Sequence, residues 1–232
     1  MEYKHLLPAD IERTSMKIIE EEMAERGIEI SEEDMPVVRR VIHTSADFDY
    51  GKNLEFTENA TSKGIEIMAS GVTIVTDTNM ALSGITKPTL RKLGGEAFCF
   101  MAEPEIAEKA KLDGTTRAVA SLSYASEKYP NAVFAVGNAP TALIKLSELI
   151  RDGFRPSLVI GVPVGFVNVV ESKEEIFELA RQPHSVSDLI VERRAKLAGD
   201  KTLPNFSRYV FLGQVFEKYV RFSGQARSQL SR

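Results

Sequence analysis

Histidine is the side chain whose charge changes most readily near neutral pH, and this chain has three: His5, His43 and His184. His5 lies in the N-terminal segment and His184 in a proline-containing loop, so both read as surface residues. His43 ends the apolar face of Val37, Val38, Val41 and Ile42 and precedes the polar turn Thr44-Ser-Ala-Asp47. Two readings are open for it: a structural histidine held by its neighbours, or a general acid at the rim of an apolar surface. Arg117 opens a helical pattern, where the helix dipole disfavours a cation. It is either a solvated arginine or the partner of an anion. Asp77 closes a short apolar run and fits either a helix N-cap or a site residue. Cys99, the one cysteine, sits in Ala97-Phe-Cys-Phe-Met101, has no internal disulfide partner and reads as a buried thiol. The sequence has no GxGxxG, no Walker loop, no GxSxG and no cysteine–histidine metal cluster.

The elements that must position these groups centre on Asn131 to Gly153. Ala132 to Val136 is an apolar run of strand length. Gly137-Asn-Ala-Pro140 turns the chain, and Pro140 suits the first turn of a helix. Leu143, Leu146, Leu149 and Ile150 then follow helical spacing until Gly153 ends the pattern. The unit is a plain strand-to-helix connection, or one whose turn amides seat an anionic group at the helix N-terminus.

Around this unit the periodicity predicts helices over 10–26, 33–45, 59–70, 104–112 and 115–128, the last with a threonine N-cap. Strands are predicted over 72–76, 97–101 and 158–162. Ser172-Lys-Glu-Glu175 has the capping-box pattern and is expected to open a further helix. Strands alternating with helices predict an α/β fold, doubly wound around a mostly parallel sheet with helices on both faces. In such a sheet Asp77, Asn138 and the Pro163–Phe166 loop all fall at strand carboxyl ends, where ligands bind. Ser187–Ala198 and Ser207–Phe222 read as two more helices, a helical C-terminal extension. In the second, Tyr209, Leu212, Phe216 and Tyr219 share a face, with Val215 and Phe222 beside it.

At 232 residues the chain has room for one large α/β domain or for two small ones. Its 43% hydrophobic and 27% charged residues are ordinary for a soluble globular protein. The 29 basic and 33 acidic residues balance to −4, which marks no general surface for nucleic acid or anionic membrane. No apolar run has transmembrane length and the N-terminus lacks a signal-peptide core, so a cytoplasmic protein is expected.

Several motifs together resemble one family. They are Gly137-Asn-Ala-Pro-Thr-Ala-Leu143, Arg151-Asp-Gly153, Gly161-Val-Pro-Val-Gly-Phe-Val167 and Glu171-Ser-Lys173. Arg13-Thr-Ser-Met16, Val41-Ile-His43, Asp77-Thr-Asn-Met80 with Gly84, and Thr115-Thr-Arg117 extend the match over roughly residues 8 to 176. In combination and spacing they resemble precorrin-8X methylmutase, the precorrin isomerase of cobalamin biosynthesis. The resemblance implies an isomerase that moves a methyl group from C-11 to C-12 of a corrin-type macrocycle. The product is hydrogenobyrinic acid, or its cobalt counterpart. It implies no cofactor and no metal site, since the methyl stays within the substrate, and it implies a homodimer. The family's catalytic histidine maps onto His43. Arg13, Ser15, Asp77, Arg117, Asn138, Ala139 and Thr141 match positions around the substrate. The substrate is a flat apolar ring bearing many carboxylates. An acidic protein must therefore gather local cations and amide donors for it. Arg13, Arg39, Arg40, Arg117 and the amides after Asn138 are the available groups.

The family pattern continues beyond the Glu-Ser-Lys helix into a strand and a Gly-Arg-x-Gly-Gly-Ser loop. That loop is missing here. The division expected is a methylmutase-like α/β domain over 1–182 and a divergent helical segment over 183–232, packed on the core or on a partner subunit. The alternative to an enzyme is a corrinoid carrier that binds without turnover.

Overall fold

The computed structural model describes residues 7–182 and, as backbone, 188–192. The long amphipathic patterns fold as helices and the apolar runs between them as strands. First come α1 (Pro8–Glu25), α2 (Met35–Ser45), α3 (Tyr50–Asn53), β1 (Leu54–Phe56) and α4 (Ala60–Ala69). Then follow β2 (Thr73–Thr76), α5 (Asn79–Gly84), α6 (Lys87–Lys92), β3 (Glu96–Phe98), α7 (Pro104–Leu112) and α8 (Arg117–Lys128). The chain continues through β4 (Val133–Val136), α9 (Pro140–Arg151), β5 (Leu158–Gly161), α10 (Val169–Arg181) and β6 (Asp188–Glu192).

The strands form one sheet in the order β1-β6-β5-β4-β2-β3. All neighbouring pairs are parallel except β1 with β6. Every residue of β4 and β5 is buried, as expected for parallel strands covered on both faces. Successive side chains then divide between two cores. Val133, Ala135, Leu158 and Ile160 join Val38, Val41, Ile42 and Met68 from α2 and α4. Phe134, Val136 and Val159 join Leu122, Leu143, Leu146, Ile150 and Ile176 from α8, α9 and α10. The 3.6-residue spacing on α9 thus seats Leu143, Leu146 and Ile150 against the sheet, each contributing roughly 1.5–3 kcal/mol on burial.

Helix ends follow local chemistry. Gly27 takes φ +64 after α1. Its amide reaches the Ala24 carbonyl at 3.1 Å and that of Ile28 reaches Met23 at 2.9 Å, closing the helix in a Schellman motif. Thr116 accepts the Val119 amide at 3.2 Å as the N-cap of α8.

Two expectations are corrected. Ser172 does not open a helix: α10 has already begun at Val169 after Asn168, and the buried Ser172 hydroxyl donates to the Val169 carbonyl at 3.0 Å. The helix expected over Ser187–Ala198 is instead a strand over Asp188–Glu192, the only part of it among the described residues. Leu189-Ile-Val191 is a strand-type run, and pairing with both β5 and β1 outweighs the charged helical pattern that follows it. The helix expected over Ser207–Phe222 lies outside the described residues, as do His5 and His184. The short elements α3, β1, α5 and α6 carry too few residues for a periodic signal.

Candidate active site

After β2 the chain passes to β3 on one side, then returns to β4 on the other side and continues to β5 and β6. The order therefore reverses between β2 and β4, and the crevice outside their carboxyl ends is where such sheets bind ligands. Asp77 leaves β2 there, and Gly137 to Thr141 leaves β4. The structure joins the two. One Asp77 carboxylate oxygen accepts the Gly137 amide at 3.0 Å, and the other accepts the amides of Asn138 and Ala139, both at 2.8 Å. Asp77 has 0% of its surface exposed. Burial pushes its carboxyl above the ordinary range, against the downward pull of the three amides.

The turn does seat an anion, as its sequence allows, but the anion belongs to the chain itself. Of the amides around Asn138 expected to be open to a ligand, those of Asn138 and Ala139 already donate to Asp77. Asn138 and Thr141 both face outward from the same turn. Thr141 comes within 3.4 Å, hydroxyl to hydroxyl, of Thr116, the cap of α8. That contact brings the N-termini of α8 and α9 together and places the exposed Arg117 beside them. Among the described residues Arg117 makes no ion pair or hydrogen bond. Between α8 and α9 runs an open groove of about 420 Å³, walled by Thr115, Val119, Ser123, Thr141, Ile144 and Lys145. Sequence periodicity carried no signal for it, because it arises from the spacing of two helices.

His43 lies across the sheet, in the last turn of α2. Val37, Val38, Val41 and Ile42 bury the helix against the core, which leaves the imidazole half-buried at the rim. The helix ends at Ala46 in the left-handed region, φ 53, with its amide on the Ile42 carbonyl at 2.8 Å. Thr44 and Ser45 turn their hydroxyls back onto the carbonyls of Arg40 and Val41 at 3.0 and 2.8 Å. The His43 imidazole itself makes no hydrogen bond or ion pair among the described residues. It makes no bond to the Asp77 turn. Ser15 lies half-buried on α1, which packs on α2.

The cations expected around His43 are mostly engaged. Arg40 is buried and pairs with Glu12, and Arg39 pairs with Glu20, so both tie α2 to α1. Burial and then the neighbouring Arg40 charge lower the pKa of Arg39. Arg13 pairs with Asp10 on the exposed side of α1. Exposed apolar side chains also gather near strand carboxyl ends: Phe166 at 83% and Val167 at 73% on the β5–α10 loop, and Met80 at 47% at the start of α5. Gly165 in that loop has φ +147, and a Cβ there would meet Val169 at 3.3 Å. The loop motif was legible in the sequence; the exposure of Met80 was not. Among the described residues no group of three or more histidine, cysteine or carboxylate side chains could hold a metal, and no helix is long and apolar enough to cross a membrane.

The fold and these groups define a doubly wound α/β protein in which Asp77 and the Gly137–Ala139 turn meet at the switch point of the sheet. The chain belongs to the precorrin-8X methylmutase family, whose family model matches residues 10–191. A cobalt-precorrin-8 methylmutase of Priestia megaterium is 42% identical over 173 residues, 74% of this chain and 76% of that protein. The precorrin-8X methylmutase of a Sinorhizobium species is 34% identical over 170 residues, 73% of this chain and 78% of that one. The crystal structure of precorrin-8X methylmutase from Thermus thermophilus aligns with a TM-score of 0.75 at 33% identity, covering 93% of this chain and 98% of that one.

Proposed function

We propose that this chain is an isomerase of cobalamin biosynthesis that moves a methyl group from C-11 to C-12 of precorrin-8X or its cobalt complex. The observation that carries the reading is family membership across 10–191, a span that includes His43 and every motif around the switch point. His43 acts as the general acid. It protonates the macrocycle, the methyl migrates, and loss of a proton from the rearranged ring restores the balance, so substrate and product are isomers. Among the described residues the His43 imidazole has no hydrogen-bond or ion-pair partner, and imidazole is a side chain suited to general acid–base work. Arg117 supplies a cation for the carboxylates, together with hydrogen-bonding groups from Asn138, Thr141 and Ser15. Phe166, Val167 and Met80 offer apolar surface for the ring. No observation favours the carrier alternative.

The enzyme works in the cytoplasm as a homodimer with sites near the subunit interface. The exposed Leu7 just before α1, with Ile11 and Ile18 on it, leaves apolar surface for a partner. Apart from β6, the segment over 183–232 that was expected to pack on the core or on a partner lies outside the described residues. Light scattering should give twice the 25.7 kDa chain mass at micromolar concentration; the single chain mass would reject the dimer. The function itself is tested by single-turnover absorbance with metal-free and cobalt-containing substrates side by side. Conversion of either one supports the reading, and the faster identifies the natural substrate. Binding without conversion of either would leave only the carrier.

A further inference from the structure

The amide seat at the switch point is already filled by a residue of the chain, and that residue has no free surface. Asp77 receives three amides from the β4–α9 turn, while the side chains at Asn138 and Thr141 face outward from the same turn. The backbone on either side of Asp77 is itself pinned. The buried Thr76 hydroxyl lies 3.0 Å from the Thr78 carbonyl and 3.3 Å from that of Phe98. Thr78 in turn caps α5 by accepting the Ala81 amide at 3.2 Å. The Asp77 amide donates to the Ala135 carbonyl of β4 at 3.2 Å. A rigid carboxylate on β2 thus holds a turn that belongs to β4.

We propose that Asp77 is a positioning residue that never touches substrate: from beneath, its carboxylate fixes the turn and so sets where Asn138 and Thr141 meet the macrocycle. The proposal rests on the isomerase reading for its kinetic consequence, though not for the latch itself. A substrate carboxylate cannot substitute for Asp77, because the three amides point into the protein toward a group with 0% exposure. His43 is on another helix with no bond to the turn, so loosening the turn weakens binding and leaves proton delivery largely intact.

The test uses Asp77→Asn and Asp77→Ala in the full chain. Asn keeps an acceptor for one side of the seat but turns an NH₂ toward the other; Ala leaves all three amides without a partner. A buried amide without a partner lets the turn shift and carries Asn138 and Thr141 with it, so KM should rise roughly tenfold for Asn and by more for Ala. In both, kcat should change much less. Formate added to Asp77→Ala should refill the seat, lowering KM and raising the melting temperature, with no such effect on the unmodified chain. A KM within twofold of the unmodified chain in both folded variants overturns the proposal, as does a loss that formate leaves untouched. If neither variant folds, amide hydrogen exchange of the unmodified chain decides. Gly137, Asn138 and Ala139 should exchange as slowly as the interior of α9, and open-loop rates overturn the latch. If the unmodified chain turns over neither substrate, the isomerase reading fails, and amide exchange with the formate-dependent melting shift still decides the latch.

Discussion

The β4–α9 turn and the end of α2 both carry motifs of the family, and they treat their polar groups in opposite ways. At the turn, the Asp77 carboxylate and three backbone amides bond one another in the interior. At the end of α2, Thr44 and Ser45 bond back to their own helix, while His43 stands half-buried with no bond among the described residues. Among the described residues, groups that hold the frame are paired, and the imidazole proposed to exchange a proton is not. A motif's specificity therefore does not reveal which kind of work its residues do. The glycine–asparagine–alanine–proline turn looks like a ligand seat and is a structural joint.

The sharpest way to break this contrast is His43→Ala. A positioned general acid is worth about 10² to 10⁴ in rate. The variant should lose that much single-turnover rate and keep product affinity, since the groups proposed for binding are Arg117, Asn138, Thr141, Ser15 and apolar surface. Turnover within a few-fold of the unmodified chain would withdraw the role from His43. Loss of both turnover and product binding, with melting unchanged, would make it a binding residue.

Arg117 is the second group that the described structure leaves without a partner. A charge-assisted hydrogen bond contributes roughly 1.5–3 kcal/mol. Arg117→Gln should raise KM about tenfold and flatten its dependence on salt, with kcat nearly unchanged. An unaltered salt dependence would return Arg117 to the solvated surface.

Thr116→Ala probes the paired side and carries the smallest effect. It removes the N-cap of α8 and the hydroxyl facing Thr141. Loss of such a cap costs about 1 kcal/mol, to be read as a modest drop in melting temperature with kcat unchanged. A kcat loss comparable to that of His43→Ala would put Thr116 in the chemistry and undo the division between paired frame and unpaired site.

Much of this was legible in the residues. The apolar runs at Ala132–Val136 and Leu158–Val162 name fully buried strands, because only a sheet covered on both faces tolerates them. The spacing of Leu143, Leu146 and Ile150 names a helix with one buried face. The motifs also pointed to the correct family. Other features stayed hidden. The strand over Asp188–Glu192 was masked by charged residues that follow it, since strand pairing depends on neighbours distant in sequence. Ser172 matched the capping-box spacing, but the helix had already started one turn earlier.

The local sequence determined the long helices and the central strands, which face of each turns inward, and that His43 ends an apolar helix. These follow from short-range periodicity and from the chemistry of caps and turns, which act within a few residues. Only the tertiary structure decided the fate of the charges. Asp77 finds its amides 60 to 62 positions along the chain, and Arg40 finds Glu12 28 positions back. A buried charge takes whatever donor the packed strands and helices bring within about 3 Å, and chain separation says nothing about that distance.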